Sequence, residues 1–443
     1  MINKRFLSIA MIGIAATSML FAGGSSEKNT NTDDSKIQLS IMHYFTDEQA
    51  QEGSKEIAVN NQQVKNVIAN HPEISFDETQ LQHEDYNIKL QALAAADDLP
   101  DVFMIRGDVV DTFTQNGLLA DITPYLEKSA WKDAYRDGIF TPVQRGTAIY
   151  GTPTQNSFTT LMYYNKALWE KAGYSEVPST WEGLFEAEKK FEAMGIDMFM
   201  FGNKDKWQYN SSWCSALANR FTGTDWYNQI LAGSDDVAFT DPEFKAFLQL
   251  TADIGAKAGL NPDFATIDHL QAATLFGMGE SALFIDGYWG VENVTAAIPA
   301  GQEADFGVMP LPTVANAKGA DNAVAGGCGW FYAVNGKLTG EKLEAAADVV
   351  LELTNTEVSK TLAEEVGILG ACKVDNIDVS KFSPLVASYL TVVNECPIIP
   401  IYDNSLNSSI IETQNDLFPQ LLAGSISVDA AAEKIQAAYE ESK

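Results

Sequence analysis

Trp289 is the residue of this sequence that is best placed to bind a small molecule. It follows Asp286, Gly287 and Tyr288 in the segment FIDGYW, after a buried-type strand predicted over residues 281–285. Open α/β sheets place ligands at the carboxyl ends of their strands, and an indole ring offers a flat apolar face to the C–H groups of a pyranose. We therefore predict that Trp289, Tyr288 and Asp286 contact a bound ligand. The alternative is a tryptophan that caps the core of the sheet.

The segment IRGDVV supplies a second pair of polar candidates. Arg106 and Asp108 follow a strand predicted over residues 99–104. A carboxylate forms charge-assisted hydrogen bonds with hydroxyl groups, and a guanidinium is a multiple donor. Asp108 could equally cap the helix that follows it. Both interpretations are open on the sequence.

The other candidate ligand contacts lie where predicted strands or loops end. Tyr44 and Asp47 stand where the first predicted strand meets its helix, and Trp207 ends the charged loop NKDKW. Trp330 follows the glycine-rich turn GGCG, and Tyr402 lies in the segment PIIPIYDNSLN. Tyr44 and Asp47 could instead be a surface tyrosine and a helix cap. Trp330 could face the core, and Tyr402 could mark a hinge or a rim.

Patterns typical of catalytic, cofactor and metal sites are missing from the sequence. Gly277 and Gly279 form a GxG without the third glycine of a dinucleotide site, and GxSxG, HExxH and Walker motifs do not occur. The four histidines are scattered, and the four cysteines lack CxxC spacing. We predict no catalytic residue, no cofactor and no metal. Cys372 and Cys396 could pair outside the cell, although we favour a small apolar core residue at each position.

Length and charge narrow the classes of function. A chain of 443 residues exceeds one ordinary core, so two domains are expected. Acidic residues outnumber basic ones by 60 to 29, for a formal net charge of −31. Such a field repels phosphate backbones and anionic lipid, which argues against a nucleic-acid partner. The charge also keeps an exported protein soluble, which is the simpler explanation for it.

Predicted strands and amphipathic helices alternate along the chain. This alternation is typical of an α/β fold with a parallel sheet that helices cover on both faces. Asn165 and Thr180 are placed to cap the helices that follow them. The predicted strands cover residues 37–44, 74–76, 99–104, 198–202, 281–285, 306–312 and 331–334. The predicted helices cover residues 45–70, 85–96, 166–171, 181–194, 241–255, 341–353 and 428–439.

Several segments occur in an order that resembles the family 1 extracellular solute-binding proteins, the sugar-capturing subunits of ABC importers. The resemblance implies a two-lobed α/β periplasmic-binding-protein fold with an interdomain cleft and multiple hinge crossings. It also implies a carbohydrate ligand, notably an oligosaccharide, and the membrane permease of an ABC transporter as partner. We expect a monomer. The segments are DDLPDVFMI, NGLLADITPYLE, YGTPTQNSFTTLMYYNKALWEKAG, GESALFIDGYW, FGVMPLP and GGCGWFYAVN.

The resemblance further implies where the lobes begin and end. Lobe 1 would comprise residues 36–154 and 323–368, and lobe 2 would comprise residues 155–322 and 369–443. The chain would therefore cross between the lobes about three times. Ligand contacts from both lobes would stabilise a closed form relative to an open one, so the expected mechanism is hinge closure.

Single residues also match positions of known role in that family. Trp289 and Trp207 match tryptophans that stack on sugar rings in maltose-binding members, and Asp108 matches an aspartate that bonds sugar hydroxyls. Ile105 stands where those members carry an aromatic residue, and Arg106 adds a donor. These departures argue against maltose itself as the ligand.

The beginning of the chain predicts export. Lys4 and Arg5 precede an apolar run that small residues follow, as in a secretory signal peptide over residues 1–22. Residues 23–35 are polar and predict a disordered tether. Gly24 stands where the lipidated cysteine of a lipobox would be, which puts a lipid anchor in doubt. We expect an extracytoplasmic protein.

Two alternative functions are open on the sequence. An exported glycoside hydrolase would also have an aromatic cleft, but it would need two carboxylates about 5 to 9 Å apart across the site. The same fold could also bind a solute other than a sugar, such as a peptide, a polyamine or a metal chelate.

Overall fold

The computed structural model of the protein describes residues 36–443. The signal peptide predicted over residues 1–22 and the tether predicted over residues 23–35 lie outside the described residues. The strands of the described part are β1 (Ile37–His43), β2 (Ile74–Gln80), β3 (Val102–Ile105), β4 (Gln144–Arg145), β5 (Ala148–Ile149), β6 (Thr152–Pro153), β7 (Ser157–Phe158), β8 (Leu161–Asn165), β9 (Phe199–Met200), β10 (Leu283–Asp286), β11 (Phe306–Pro310), β12 (Val324–Gly327), β13 (Phe331–Val334) and β14 (Ile398–Ile399).

Helices connect and cover these strands. None of the helices within residues 36–443 has the length and apolar content needed to cross a bilayer. The α-helices are α1 (Asp47–Gln51), α2 (Lys55–Asn70), α3 (His83–Ala95), α4 (Val110–Gln115), α5 (Thr123–Leu126), α6 (Lys166–Lys171), α7 (Trp181–Met194), α8 (Trp207–Tyr209), α9 (Ser215–Thr222), α10 (Thr224–Leu231), α11 (Pro242–Lys257), α12 (His269–Gly277), α13 (Gly290–Ala297), α14 (Gly340–Leu353), α15 (Thr356–Thr361), α16 (Pro384–Glu395), α17 (Ser408–Leu422) and α18 (Val428–Ser442).

The first lobe is built around a five-stranded sheet in the order β2-β1-β3-β13-β6. The β1 strand is parallel to β2 and β3, whereas β13 is antiparallel to both of its neighbours. The residues of β3 are all buried, and Val64 and Val67 of α2 belong to the same core. Because β13 enters the sheet directly from β12, without a crossover helix, it runs opposite to β3.

The second lobe is built around a four-stranded sheet in the order β11-β8-β10-β9. The β8 strand is antiparallel to β10 and β11, and β9 is parallel to β10. Leu283 and Ile285 of β10 belong to one core, and Phe284 between them belongs to another, so the sheet separates two cores. The prediction of parallel sheets is therefore wrong for β8 and β13, which make both sheets mixed.

A small sheet, β14-β12-β7, lies beside the segments that run from one lobe to the other. The β6 strand pairs in the first sheet and β7 pairs with β12, which itself leads into β13. Asn156, just before β7, donates its backbone N–H to the carbonyl of Leu369 (2.8 Å). The segment at Leu369 is therefore the third one at this place, beside the segments that contain β7 and β12. These pairings lie next to the predicted lobe boundaries at 154/155, 322/323 and 368/369, which stay predictions.

The two predicted helix caps are confirmed. The Asn165 side chain accepts a hydrogen bond from the backbone N–H of Leu168, and the Thr180 hydroxyl accepts one from Gly183. The helices that follow, α6 and α7, begin and end at the predicted residues. Local capping chemistry therefore sets these boundaries.

The single helix predicted over residues 45–70 is wrong, because the chain breaks at Gly53. This glycine has φ of +110°, a backbone conformation that other residues rarely adopt. The α1 helix ends before it, and α2 begins after it with the Ser54 hydroxyl as its cap. The break creates a second helix N-terminus, at Lys55, in the first lobe.

The Thr180→Ala variant should lower the free energy of unfolding by about 1 kcal/mol, because the N–H of Gly183 loses its acceptor. Denaturant unfolding measures this loss. The matched variant Thr180→Ser keeps the hydroxyl and should retain most of the wild-type stability. Equal losses in both variants would contradict the capping role.

The four cysteines are free thiols. Cys214, Cys328 and Cys372 are buried and Cys396 is half-buried. Cys372 belongs to the core of the first lobe, whereas Cys396 packs against a core of the second. The structure therefore agrees with the favoured interpretation of apolar packing, and the alternative pairing of Cys372 with Cys396 is not observed.

Candidate functional site

Aromatic rings from both lobes form one continuous group, which we call the aromatic array. In the first lobe, the ring centroid of Trp330 lies 5.0 Å from that of Tyr44 and 5.3 Å from that of His83. His83 in turn lies 6.4 Å from Trp207 of the second lobe, and this step joins the two lobes. We take as its members Tyr44, His83, Trp207, His269, Tyr288, Trp289 and Trp330; on the first-lobe side the ring contacts continue through Phe45 and Tyr86 into the core.

Trp207 and Trp289 are the centre of the second-lobe part of the array. Their ring centroids are 5.9 Å apart, and both residues are half-buried. The Trp289 ring folds back over Gly287, where an added Cβ would lie 2.4 Å from the ring. The indole N–H of Trp289 is buried without an acceptor among residues 36–443. The same holds for the core residues Trp169, Trp181 and Trp213, so the half-buried ring face of Trp289, rather than its N–H, is what suits a ligand with C–H groups.

Asp286 is fully buried beneath the array. Its carboxylate accepts a hydrogen bond from the backbone N–H of Gly287 (2.7 Å) and another from the Gln208 side chain, and it lies 3.6 Å from Nδ1 of His269. Burial acts to lower the pKa of His269, but the interaction with Asp286 and the charges of nearby aspartates raise this pKa overall. These bonds fix the turn that carries Trp289, and a direct contact of Asp286 with a ligand stays a prediction.

Arg106 reaches from the first lobe to the second. Its guanidinium donates to Oδ2 of Asp403 (2.8 Å), to the backbone carbonyl of Asp403 (2.9 Å) and to Oδ1 of Asp108 (3.3 Å). Beside this group, the N–H of Gly107 donates to the Asn404 side chain (3.2 Å). Burial raises the pKa of Asp108, and the charge of Arg106 offsets part of that rise. The two predicted residues Arg106 and Asp108 thus lie at a contact between the lobes.

The interpretation of Asp108 as a helix cap is wrong. The N-cap residue of the 3-10 turn Gly107–Val109 is Arg106, and the N-cap residue of α4 is Val109. Neither residue makes a side-chain capping hydrogen bond. The carboxylate of Asp108 instead accepts from Arg106. A ligand contact at Asp108 stays a prediction.

A second contact between the lobes forms at the N-terminus of α2. The Glu56 carboxylate accepts hydrogen bonds from the Tyr288 hydroxyl (3.0 Å) and from the Gln155 side chain (2.7 Å). Burial raises the pKa of Glu56 to about 7, the bonds from Gln155 and Tyr288 act in the opposite direction, and the charge of Glu292 adds to the rise. Gln155 lies in one of the segments that run from one lobe to the other. The contact at Glu56 therefore involves both lobes and a connecting segment.

Two predicted ligand contacts lie outside the array. The Asp47 carboxylate is paired with Lys65 of α2 (2.6 Å). Tyr402 is only 2% exposed, its ring stacks on Tyr227 at 3.8 Å, and its hydroxyl accepts from Asn219. Tyr402 therefore packs in the core of the second lobe rather than at a rim. Neither side chain bonds or stacks with a member of the array.

Sequence reasoning missed His83, His269, Glu56 and Gln155. The histidines look scattered along the chain, yet the fold brings two of them into the array. His83 begins α3 shortly after β2, so the strand-end criterion that selects Tyr44 could have selected it too. Glu56 and Gln155 carry no local signal, because their contact joins positions 99 residues apart.

Matches to known proteins cover more than half of the chain. A family model described as bacterial extracellular solute-binding protein matches residues 69–337. An uncharacterized ABC transporter extracellular-binding protein of Pyrococcus horikoshii is 24% identical over 324 residues, 70% of each chain. The sn-glycerol-3-phosphate-binding periplasmic protein of Brucella abortus is 26% identical over 260 residues, and the match spans only 57% of each chain. The maltotriose-binding protein of Pyrococcus abyssi is 25% identical over 327 residues, 72% of this chain and 65% of the relative.

Solved structures are similar over nearly the whole described chain. A chitin oligosaccharide binding protein matches with a TM-score of 0.80 at 19% identity, over 92% of this chain and 98% of its own. A structure from work on xylan utilization by Caldanaerobius polysaccharolyticus matches with a TM-score of 0.77 at 24% identity, over 90% of this chain and 99% of its own. At these identities the likeness concerns the fold, a pair of α/β lobes joined by several crossings.

Proposed function

The chain belongs to the bacterial extracellular solute-binding proteins, and from this membership we propose that it captures a sugar, notably an oligosaccharide, between its two lobes. It presents the sugar to the membrane permease of an ABC importer. It acts as a monomer outside the cytoplasm, and the sugar leaves chemically unchanged. The family model that matches residues 69–337 supports the class of protein, and the site supports the class of ligand.

The aromatic array is the observation that carries the sugar assignment. A pyranose has C–H groups on its faces and hydroxyls around its rim, so it is recognised by flat rings with polar groups beside them. Trp330 supplies a half-buried ring from one lobe, backed by Tyr44 of the core, and Trp207 and Trp289 supply half-buried rings from the other. A ligand that contacts rings of both lobes binds the closed form more tightly than the open form, which is the condition for hinge closure.

The charges near the array favour a neutral ligand over a phosphate ester. An anion would meet like charges there at short range, where repulsion is strong. The name of the Pyrococcus abyssi relative specifies an oligosaccharide and that of the Brucella relative a phosphate ester; the charges agree with the former. The carboxylates at or between the lobes include Glu56, Asp108, Asp286, Glu292 and Asp403, against the guanidinium of Arg106.

The proposal includes no bond-breaking step. A glycoside hydrolase needs a carboxylic acid and a carboxylate that face each other about 5 to 9 Å apart across the sugar. Asp286 and Asp403 instead accept hydrogen bonds from Gln208 and Arg106 of the protein. These partners support structural roles for both carboxylates.

A thermal-shift screen over neutral oligosaccharides, polyamines, short peptides and glycerol 3-phosphate tests the ligand class. A compound that binds only the folded protein raises its melting temperature by mass action. We expect at least one neutral oligosaccharide to raise it and glycerol 3-phosphate to leave it unchanged. Incubation of the same oligosaccharides with the protein should release no shorter sugar. A rise with glycerol 3-phosphate alone, or released product, would overturn the assignment.

A further inference from the structure

The second lobe contacts the N-terminus of α2 through hydrogen bonds to Glu292 and from Tyr288. Glu292, in the first turn of α13, accepts hydrogen bonds from the Ser54 hydroxyl (3.1 Å) and from the backbone N–H of Lys55 (2.6 Å). Glu56, in the first turn of α2, accepts from the Tyr288 hydroxyl (3.0 Å). Two carboxylates, one from each lobe, therefore tie this helix end across the boundary.

Glu292 supplies what the end of a helix lacks. The first N–H groups of a helix have no partner within the helix, and the helix dipole favours an anion there. Because Glu292 belongs to the other lobe, this cap exists only while the lobes are in contact. Opening of the lobes leaves the N–H of Lys55 to water.

Glu56 has the opposite preference, since the contact disfavours its ionised form. Its hydrogen-bond partners Gln155 and Tyr288 are neutral, and a second carboxylate lies near. A half-buried carboxylate with neutral partners and a like charge nearby takes up a proton more readily than one in water. Opening of the lobes returns it to water. The titratable groups that face it are Glu292, Tyr44, Tyr288 and Tyr389.

We propose that this contact is a latch that stabilises the closed arrangement of the lobes, and that proton uptake by Glu56 tightens it. The inference rests on the hinge closure proposed above and adds a regulation of the same cleft. Tyr288 links the latch to the array, because its ring contacts Trp289 edge-on at 5.4 Å. Mild acid therefore assembles the two halves of the array more often than alkaline medium does.

The direction of the effect follows from the pKa of Glu56. Burial raises this pKa to about 7 in the closed form, against about 4.3 for a glutamate in water. A carboxyl pKa that is higher in the closed form favours closure below about pH 7, and this contribution is lost as the pH rises through 7. The ratio of closed to open molecules should therefore rise about tenfold from pH 8 to pH 6.

Small-angle scattering of the ligand-free protein tests the latch at pH 8 and pH 6. The wild type should have the smaller radius of gyration at pH 6. Glu56→Gln, which is neutral at both values, should be compact at both, and Glu292→Gln should be more expanded at both. Glu52→Gln removes an exposed carboxylate nearby and should behave as the wild type. A common pH profile for wild type and Glu56→Gln, or a radius of gyration that does not depend on pH, would overturn the latch.

Sugar binding is measured separately, so the two proposals fail in distinguishable ways. If a neutral oligosaccharide raises the melting temperature while the ligand-free radius is independent of pH, the latch is wrong and the sugar assignment stands. If the radius responds to pH through Glu56 while no sugar raises the melting temperature, the latch stands and the sugar assignment is wrong.

Discussion

Trp289→Ala should weaken binding of the oligosaccharide found by thermal shift by about 1 to 3 kcal/mol, or about 5- to 150-fold. The ring is half-buried at the end of β10, beside Trp207, with an indole N–H that has no acceptor among residues 36–443. A sugar stacked on it buries apolar surface that the alanine variant cannot cover. Trp289 also packs against a core of the second lobe, so the melting temperature without ligand should fall, but by less than the loss of a fully buried core tryptophan would cause.

Calorimetric titration and thermal melts on the same samples decide between this role and core packing. If Trp289 were a core residue, its loss would cost about 3 to 5 kcal/mol of stability instead. Trp131→Ala is the matched control, since Trp131 is also half-buried and also packs against a core, that of the first lobe, but it is not a member of the aromatic array. It should lose stability and keep its affinity. Normal affinity with a collapsed melting temperature in Trp289→Ala would contradict the stacking role.

Much of the fold could be predicted because its signals are local. The caps at Asn165 and Thr180 depend on neighbours three residues away, and they fix the start of α6 and α7. The strand-end criterion selected Trp289 and Tyr44, which the structure places in the aromatic array, since carboxyl ends of strands are where helices and ligands meet the sheet. The same criterion selected Asp47, which lies outside the array with its carboxylate paired to Lys65 on a neighbouring helix, and a ligand contact at Asp47 stays a prediction.

The remaining features depend on contacts that no local pattern encodes. The direction of β13 is set by its entry from the small sheet, and the break at Gly53 depends on one backbone angle. Tyr402 looks like a loop residue, yet Tyr227 covers its ring. The bond between Glu56 and Tyr288 joins positions 232 residues apart. Closure of the lobes creates such pairs, so the sequence predicts the parts of the site better than the contacts between them.

Arg106→Gln should lower the affinity for the same oligosaccharide by about 100-fold or more. In the closed form the guanidinium is paired with Asp403, whose side chain is only 3% exposed, and with Asp108. Removal of one partner of a buried ion pair leaves an uncompensated charge, at a cost of about 3 to 5 kcal/mol. Water can reach these carboxylates once the lobes open, so the cost falls on closure rather than on folding. Calorimetric titration measures the loss of binding free energy. Thermal melts without ligand should show a much smaller loss of unfolding free energy.

We attribute the loss of affinity in Arg106→Gln to the unpaired charge of Asp403, and a second substitution tests this cause. Asp403→Asn in the Arg106→Gln background leaves two neutral amides where the ion pair was, so most of the affinity should return. Asp108→Asn in the same background should recover less, because Asp108 is held at the longer distance of 3.3 Å, against 2.8 Å for Asp403. Equal affinities for Arg106→Gln with and without Asp403→Asn would show that Arg106 binds the sugar directly instead of holding the lobes together.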